Sequence, residues 1–172
     1  DVVFFCAGSK VSKKYVQLAV DQNILVIDNS SAFRNSSTIP LLIPEINPET
    51  ISSETRVIAN PNCVVILLLM ALYPLTKIAS LKRLVLSTYQ AASGAGYKVL
   101  QGLQEETLAY LEGTSYERSP SPLPYAFNAF IHPSEEDNDQ YSGEERKVIE
   151  ETRKIIQKPH LSIAVTCVRV PV

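Results

Sequence analysis

The amino-acid sequence predicts an α/β fold in which short buried strands alternate with helices. Residues 2–6 form a continuous apolar run that ends in Ala7-Gly8-Ser9, the pattern of a buried parallel strand and its turn. A helical segment follows from about Val11, and residues 24–27 form a second buried strand closed by polar residues. Strand, helix and strand of this length form a βαβ unit, the building block of a doubly wound, Rossmann-type sheet. The start of the chain is therefore predicted to be part of a parallel Rossmann-type sheet.

The middle of the chain continues this alternation. Residues 56–59 predict a further strand, and residues 84–89 predict another. Between them, residues 64–72 are apolar on every side, which predicts a fully buried helix that ends near Pro74. Leucines at roughly helical spacing predict a second helix over residues 100–111. Nothing in this stretch repeats, so a single αβ succession is expected.

The last third predicts one long loop, one helix and one strand. Residues 115–139 are rich in Pro, Ser and acidic side chains and are expected to be irregular. Ser142 and Glu145 fit a capping box in front of an amphipathic helix, and residues 161–170 predict the final strand. We assign residues 1–62 to the later part of a nucleotide-binding domain and residues 63–172 to a second, mixed-sheet α/β domain.

Composition excludes several classes of function. The 172 residues carry a net charge of −2, which indicates no attraction to nucleic acid or to a membrane surface. The longest apolar run is far shorter than the ~20 residues that span a bilayer. Three widely spaced cysteines match neither a disulfide framework nor a metal site, so a cytoplasmic protein is expected. No signal peptide opens the chain, and its apolar ends predict an internal stretch of a longer protein.

Cys63 is the first candidate for chemistry. A cysteine is often only a small buried hydrophobe, but this one lies at the predicted N-terminus of a helix. There the helix macrodipole and free backbone N–H groups stabilise a thiolate. The same N–H groups, with the Asn62 side chain, can hold a developing oxyanion. We predict that Cys63 is the reactive thiol and that Cys6 and Cys167, in strand positions, are buried and inert.

Arg169 is the second candidate. Alternation along the last strand places it on the same face as Leu161, Ile163, Val165 and Cys167, which is the apolar face. A guanidinium there needs an anion, because an unpaired buried charge is very costly. Two interpretations stay open at this point. Arg169 either forms a structural ion pair or clamps a substrate carboxylate through two parallel hydrogen bonds.

Four more polar residues have a structural explanation beside a functional one. Arg34 follows a polar cluster, and by itself it is a solvated charge. Glu144 and Lys147 lie three residues apart on the first turn of a helix, and spacing alone favours an exposed helix-start carboxylate and a surface lysine. Gln90 ends a strand before the small-residue loop Ser93-Gly94-Ala95-Gly96, and it either hydrogen-bonds a ligand or ties down that loop.

Five segments of the chain, in order, resemble the aspartate-β-semialdehyde dehydrogenase family, and together they span essentially the whole sequence. Each segment alone is weak evidence for the family, but five segments in the family's order are specific evidence for it. The segments are Phe4-Phe5-Cys6-Ala7-Gly8, Asp28-Asn29-Ser30-Ser31-Ala32-Phe33-Arg34, Asn60-Pro61-Asn62-Cys63, Tyr89-Gln90-Ala91-Ala92-Ser93-Gly94-Ala95-Gly96 and Thr166-Cys167-Val168-Arg169-Val170-Pro171-Val172.

The resemblance implies a reaction and a cofactor. Cys63 would attack β-aspartyl phosphate to form a thioester, and NADPH would reduce it to aspartate β-semialdehyde, a precursor of lysine, threonine and methionine. A thiolate attacks well, and a thioester accepts hydride more readily than a carboxylate. Gln90 would position the acyl group. Ala7, Gly8 and the loop of Ser93, Gly94, Ala95 and Gly96 would lie along the NADP cofactor.

The resemblance also assigns the charged residues and an assembly. Arg169 would bind the substrate α-carboxylate, and Glu144 would receive its ammonium group. Arg34 and Lys147 would bind phosphate, so the resemblance overrules the structural explanations of Arg34, Glu144 and Lys147. It further implies that residues 63–172 belong to a catalytic and dimerisation domain, whose broad sheet would build a homodimer or homotetramer.

The chain departs from the family pattern in several places. Val64-Val65 follow the cysteine where the family usually has Ser or Thr, and Cys6 stands where Ser is common. The Gly-rich phosphate loop would precede the first residue, and the general-base histidine would follow the last. Neither His132 nor His160 replaces that base by motif. The isolated chain is therefore expected to be inactive.

Two other hypotheses remain. N-acetyl-γ-glutamyl-phosphate reductase uses the same thioester chemistry, but that family prefers Gly before its cysteine and an aromatic residue after it, unlike Asn62 and Val64. A non-catalytic binding module that keeps the fold is supported by Val64-Val65 and by the missing segments. The intact Cys63, Gln90, Glu144, Lys147 and Arg169 argue against that second hypothesis.

Overall fold

The computed structural model describes residues 1–116, 121–133 and 141–172. The chain forms two compact units. The first contains Asp1–Leu84 and Lys147–Ser162, and the second contains Val85–Arg146 and Ile163–Val172. Residues 63–84 thus pack with the first unit. The division of the chain by function at residue 62 stays a prediction.

The first unit contains the predicted βαβ element. Strands β1 (Val2–Phe5), β2 (Leu25–Asp28) and β3 (Val57–Ala59) form a parallel sheet in the order β1-β2-β3. Helix α1 (Ser9–Asp21) connects the first two strands. The central strand β2 is more buried than β1, since it has a neighbour on both sides. The prediction of an α/β fold with a parallel sheet is confirmed, and the ends of all three strands lie at one edge.

The prediction that Cys6 is buried is wrong. Strand β1 ends at Phe5, one residue earlier than the apolar run in the sequence. Cys6 therefore lies in the turn before α1, and its side chain is exposed. An apolar run does not distinguish the last residue of a strand from the first residue of its turn.

Helix α2 (Cys63–Thr76) follows the sheet and is only partly buried. Val64, Val65 and Leu69 are buried, whereas Leu67 is 74 % exposed and Met70 is also exposed. The expectation of a fully buried helix is therefore wrong for this chain, because the first unit covers only one face of α2. The helix also continues past Pro74, since a proline in the last turn removes only one helical hydrogen bond.

The second unit is organised around another sheet. Strands β4 (Arg83–Ala91), β5 (Phe130–Ile131) and β6 (Ser162–Val170) follow the order β4-β6-β5, and β5 is antiparallel to β6. Burial alternates along β6 up to Cys167, as the sequence predicted. Helix α3 (Tyr97–Leu111) follows β4 after a short 3₁₀ turn at Ala92–Ala95.

The last helix begins at the predicted capping box. Helix α4 spans Gly143–Ile155. The Ser142 N–H donates to Glu145 Oε2 at 2.8 Å, and the Glu145 N–H donates to Ser142 Oγ at 3.3 Å, so each residue satisfies a free donor of the other. The helix is amphipathic, as predicted, and its apolar side chains Val148, Ile149 and Ile155 are buried.

Two further observations complete the fold. The stretch 115–139, predicted to be irregular, contains β5, while its residues 117–120 and 134–139 lie outside the described part of the chain. Among the helices of the described residues, none combines the length and the apolarity that crossing a bilayer requires.

Candidate active site

Cys63 occupies the first position of α2, and its side chain is exposed. Asn62 precedes it as the N-cap residue and is buried. The Asn62 Oδ1 atom accepts the Val64 N–H at 2.9 Å and lies 3.8 Å from the Cys63 Sγ atom. The thiol therefore sits where the helix macrodipole favours an anion, beside a side chain that orders the first helical turn. This is the geometry the sequence predicted for a nucleophile.

Glu151 supports this turn from helix α4. The carboxylate is 1 % exposed, and its Oε2 atom accepts the Asn62 N–H at 2.6 Å. Its Oε1 atom pairs with Arg34 Nη1 at 3.3 Å. Arg34 also donates from Nε to the Asn60 carbonyl and from Nη2 to the Asn29 carbonyl. The guanidinium predicted to bind phosphate is thus 11 % exposed and held from three directions.

The loop that carries Arg34 is fixed at both ends. At its start, the buried Asp28 carboxylate accepts hydrogen bonds from the hydroxyl groups of Ser12, at 2.6 Å, and Ser30, at 2.8 Å. Farther along, Lys154 Nζ donates to the carbonyl groups of residues 34, 36 and 39. Burial lowers the pKa of Lys154, and the nearby Glu151 carboxylate offsets part of that change. These contacts hold the Arg34 backbone in one position.

Ala7 and Gly8 lie where the predicted nucleotide would bind, beyond the carboxyl end of β1. Gly8 is the N-cap of α1, with φ of +87°, a conformation that favours glycine. No side chain caps α1, no acidic residue lies in its first turn, and a Cβ atom at Gly8 would meet no atom within 4 Å. These residues fit an anionic group of a nucleotide, since helix N-terminal N–H groups bind phosphate.

In the second unit, Gln90 and Glu144 come together. Gln90 Nε2 donates to Glu144 Oε1 at 3.3 Å, and Glu144 is buried. The exposed surface position that spacing alone favours for Glu144 is therefore wrong. The buried Gln90 Oε1 atom has no hydrogen-bond partner among the described residues. A buried acceptor without a donor is unfavourable in the protein alone and suits a site that receives a ligand.

Arg169 is half-buried at the end of β6. Its Nη2 atom lies 2.7 Å from Nε2 of His132, so that ring nitrogen must accept and the imidazole must be neutral. No carboxylate of the described residues lies within ion-pair distance of Arg169. Burial raises the pKa of the Tyr125 phenol, and the charge of Arg169 offsets part of that rise. The structural ion pair left open by the sequence is therefore not formed within the described residues.

The small-residue loop approaches Arg169. A Cβ atom added at Gly94 would lie 3.7 Å from Arg169 Nη1, an ordinary van der Waals contact. Ser93, Gly94 and Ala95 lie in the 3₁₀ turn, and Gly96 then caps α3 with φ of +100°. Small side chains here leave the surface around the guanidinium open.

The site residues predicted from sequence fall into two groups. The first unit brings together Cys63, Asn62 and Arg34, while the second brings Gln90 to Glu144 and Gly94 to Arg169. Lys147 lies one helical turn after Glu144 and is partly buried.

Three residues that contact the site were assigned no role in it from the sequence, namely Glu151, Lys154 and His132. Local patterns contain no signal for them, because their partners are remote in sequence.

Comparison with known proteins identifies the family. The family model for the semialdehyde dehydrogenase dimerisation domain matches residues 72–172, and the model for the NAD binding domain matches residues 1–54. The first match alone covers more than half of the chain. The chain belongs to the semialdehyde dehydrogenase family. The resemblance inferred from the five segments is thus confirmed.

Similar proteins bear this out in sequence and in structure. The chain is 42 % identical over 172 residues to the aspartate-semialdehyde dehydrogenase of Synechocystis sp., and the match covers 100 % of this chain and 51 % of that protein. Aspartate semialdehyde dehydrogenase II from Vibrio cholerae superposes with a TM-score of 0.95 at 38 % identity, over 99 % of this chain and 52 % of that one. The same Vibrio cholerae enzyme complexed with ASA gives a TM-score of 0.95 at 37 % identity, over 99 % and 52 % of the two chains. The chain spans about half the length of the relatives that it matches.

Proposed function

We propose that this chain is part of an aspartate-semialdehyde dehydrogenase. The enzyme would convert β-aspartyl phosphate to aspartate β-semialdehyde and phosphate, in the biosynthesis of lysine, threonine and methionine. The observation that carries the proposal is the exposed Cys63 thiol at the N-terminus of α2, beside the capping oxygen of Asn62. Support comes from the similar proteins, each an aspartate-semialdehyde dehydrogenase, one of them complexed with ASA.

The nucleophile comes first in the proposed mechanism. The Cys63 thiolate attacks the acyl carbon of the acyl phosphate, a thioester forms, and phosphate leaves. The free N–H groups of the first turn of α2, with Asn62, stabilise the oxyanion that develops at that carbon. Gln90 positions the acyl group through its Oε1 or Nε2 atom.

Charged side chains hold the rest of the substrate. Arg169 binds the α-carboxylate, Glu144 receives the ammonium group, and Arg34 and Lys147 bind the departing phosphate. Three Arg34 hydrogen bonds are used within the protein, but a guanidinium has five N–H donors, so two remain for a ligand. The buried Glu144 carboxylate would supply the negative charge that receives the substrate ammonium group.

NADP is the proposed cofactor and supplies hydride chemistry when bound. Ala7 and Gly8 would contact it beyond the carboxyl end of β1. Ser93, Gly94, Ala95 and Gly96 would lie along it, since small side chains allow a close approach. The match to an NAD binding domain supports a nicotinamide dinucleotide, and the preference for NADP is part of the proposal. A homodimer or homotetramer is proposed from the match to a dimerisation domain.

Acyl trapping tests the proposal in a protein of the relatives' length that contains this chain. With aspartate β-semialdehyde and NADP but no phosphate, we expect one equivalent of NADPH per active site and one acyl adduct on Cys63 by mass spectrometry. Added phosphate should then restore turnover, because it cleaves the thioester.

Matched variants make this test specific. Cys63→Ser should lose turnover on the order of 10⁴-fold or more. Cys6→Ser, which alters another exposed thiol, should behave as the unaltered protein. An adduct on a different residue, or steady turnover in Cys63→Ser, contradicts the proposal. Greater activity with N-acetylglutamate γ-semialdehyde would favour the N-acetyl-γ-glutamyl-phosphate reductase hypothesis. The absence of turnover with either substrate would favour a non-catalytic binding module.

A further inference from the structure

We propose that Glu151 is a positioning residue that sets the Cys63 nucleophile and the Arg34 guanidinium in one fixed arrangement. The proposal rests on the function proposed above, because that function gives Cys63 and Arg34 their roles. Its basis is one buried side chain with two different partners. Glu151 accepts from Arg34 Nη1 at 3.3 Å and from the Asn62 N–H at 2.6 Å.

Through these two contacts, the Glu151 carboxylate connects the loop that carries Arg34 to the turn that carries Asn62. Oε1 accepts from Arg34 and Oε2 accepts from Asn62, so movement of either segment would remove a hydrogen bond from a buried carboxylate. The 2.6 Å contact is short, as expected for a hydrogen bond to a charged acceptor. A carboxylate buried merely for structure needs only some partner. This one has as partners the residue before the thiol and the guanidinium proposed to bind phosphate.

Asn62 transmits the contact to the thiol. Its N–H is held by Glu151, while its Oδ1 atom accepts the Val64 N–H and lies 3.8 Å from Cys63 Sγ. Loss of the Glu151 contact would release the cap of α2 and let the first helical turn fray. The thiolate would then lose part of the dipole stabilisation that its position supplies. We therefore expect Glu151 to act on Cys63 through Asn62, without touching the substrate.

Glu150 provides a matched control one residue away. Its carboxylate is exposed and accepts from Asn35 Nδ2 at 3.0 Å on the surface. Glu150→Gln removes the same charge from the same helix, but it leaves the contacts of Asn62 and Arg34 in place. Differences between Glu150→Gln and Glu151→Gln therefore report the two buried contacts and not the change in net charge.

The experiment compares these variants in a protein of the relatives' length that contains this chain. A glutamine at 151 has one acceptor and one NH₂ donor where the protein presents two donors, so one contact must be lost. For Glu151→Gln we expect the phosphate KM to rise and kcat to fall, with kcat/KM about 10- to 100-fold lower, the size of a lost charge-assisted hydrogen bond. Alkylation of Cys63 by iodoacetamide at neutral pH should slow several-fold. Glu150→Gln should stay within about twofold in every measurement.

The alkylation rate separates positioning from two simpler explanations. Deleting a negative charge near a thiol would speed alkylation, because a thiolate forms more easily. If the ion pair were purely structural, its loss would lower the melting temperature and leave the alkylation rate of the folded protein unchanged. Faster or unchanged alkylation in Glu151→Gln, together with an unchanged phosphate KM, would overturn the proposal.

A second variant covers a failure to fold. Glu151→Asp keeps the charge and both acceptors on a shorter side chain, so it should show the same pattern with smaller changes; wild-type values would overturn the proposal. The alkylation assay needs no turnover. If the unaltered protein has no dehydrogenase activity, the proposed function fails, while the alkylation rates still decide whether Glu151 positions Cys63.

Discussion

The two units hold their key arginines in opposite ways. Arg34 in the first unit pairs with the buried Glu151 carboxylate and donates to two backbone carbonyls. Arg169 in the second unit donates to the neutral ring nitrogen of His132 at 2.7 Å, and no described carboxylate lies in ion-pair range. An arginine whose charge is compensated by the protein is fixed before any ligand arrives. An arginine beside a neutral imidazole, with no carboxylate in ion-pair range among the described residues, keeps more of its charge available to an external anion.

The amide side chains of Asn62 and Gln90 show the same difference: the first has partners within the protein, and the second has an oxygen without one among the described residues. In the first unit, Asn62 Oδ1 caps α2 and its backbone N–H reaches Glu151. In the second, the buried Gln90 Oε1 atom has no partner among the described residues. Substitutions in the first unit should therefore change both stability and activity, whereas those in the second should change activity with little effect on stability.

The largest expected effect tests whether the 172-residue chain has dehydrogenase activity by itself. Expressed by itself, the 172-residue chain should show no NADP reduction with aspartate β-semialdehyde and phosphate. By resemblance, the Gly-rich loop and the general-base histidine lie outside it, and a positioned base contributes about 10²–10⁴-fold in rate. A protein of the relatives' length serves as the control. Turnover close to that control, lost on replacing His132, would identify His132 as the base and contradict this assignment of the site.

Next in size is Arg169→Lys, assayed in the same longer protein. Lysine keeps the charge but loses the planar fork that binds a carboxylate through two hydrogen bonds. We expect kcat/KM to fall about 10- to 100-fold, mainly through the KM of the semialdehyde. Arg83→Lys alters an exposed arginine on β4 and should have no effect. Normal kinetics with a changed melting temperature would mark Arg169 as structural.

Gln90→Leu separates ligand binding from stability. Removing a buried acceptor that has no partner among the described residues offsets part of the loss of the 3.3 Å hydrogen bond to Glu144, so the free energy of unfolding should stay within about 1 kcal/mol of the unaltered protein. The same change should reduce kcat/KM about tenfold or more, because the substrate loses a polar contact. Steady-state kinetics and denaturant unfolding measure the two effects. A destabilised variant with normal activity would mean that Gln90 only holds the adjacent loop.

Asn62→Ala should give the opposite balance in the first unit. Loss of an N-cap side chain costs about 1 kcal/mol, measured by denaturant unfolding. Asn62→Ser retains a capping oxygen and should recover most of that stability. Equal stability of the alanine variant and the unaltered protein would show that the cap of α2 is dispensable.

The smallest effect concerns Cys167. Burial raises its pKa above the ordinary value of 9.0, the nearby Thr88 hydroxyl opposes that rise, and the Glu145 carboxylate adds to it. Above pH 9.0 the unfolded chain ionises this thiol first, so the folded state retains more protons and stability should fall as pH rises. Cys167→Val should lack this component of the pH dependence. Iodoacetamide should label Cys63 first, then the exposed Cys6, and Cys167 last; early labelling of Cys167 would contradict its burial.

Local sequence patterns predicted most of the elements. The βαβ unit, the capping box at Ser142 and Glu145, and the alternation along β6 are encoded by neighbours a few residues apart. The element ends were less accurate, as the turn position of Cys6 illustrates. This error arises because hydropathy reports burial and not the last hydrogen bond of an element.

The partners of the site could not be predicted in this way. Glu151 lies 117 residues from Arg34 and 89 residues from Asn62, so no periodicity connects them. The burial of Glu144 was hidden by a spacing that also fits a surface helix. The resemblance indicated Arg34 and Glu144 as functional, but it gave no account of what holds them.

The Lys154 ammonium group occupies a site that resembles the binding site of a monovalent metal ion. Its three N–H donors converge on three carbonyl oxygens of one loop, as ligands surround a potassium ion. Unlike a metal ion, this cation is tethered to a helix and cannot be removed by dialysis. It can be discharged, however, and because burial lowers its pKa it loses a donor at a lower pH than an exposed lysine would. In alkaline solution the loop should therefore loosen at this point first, as hydrogen exchange of residues 34–39 would reveal.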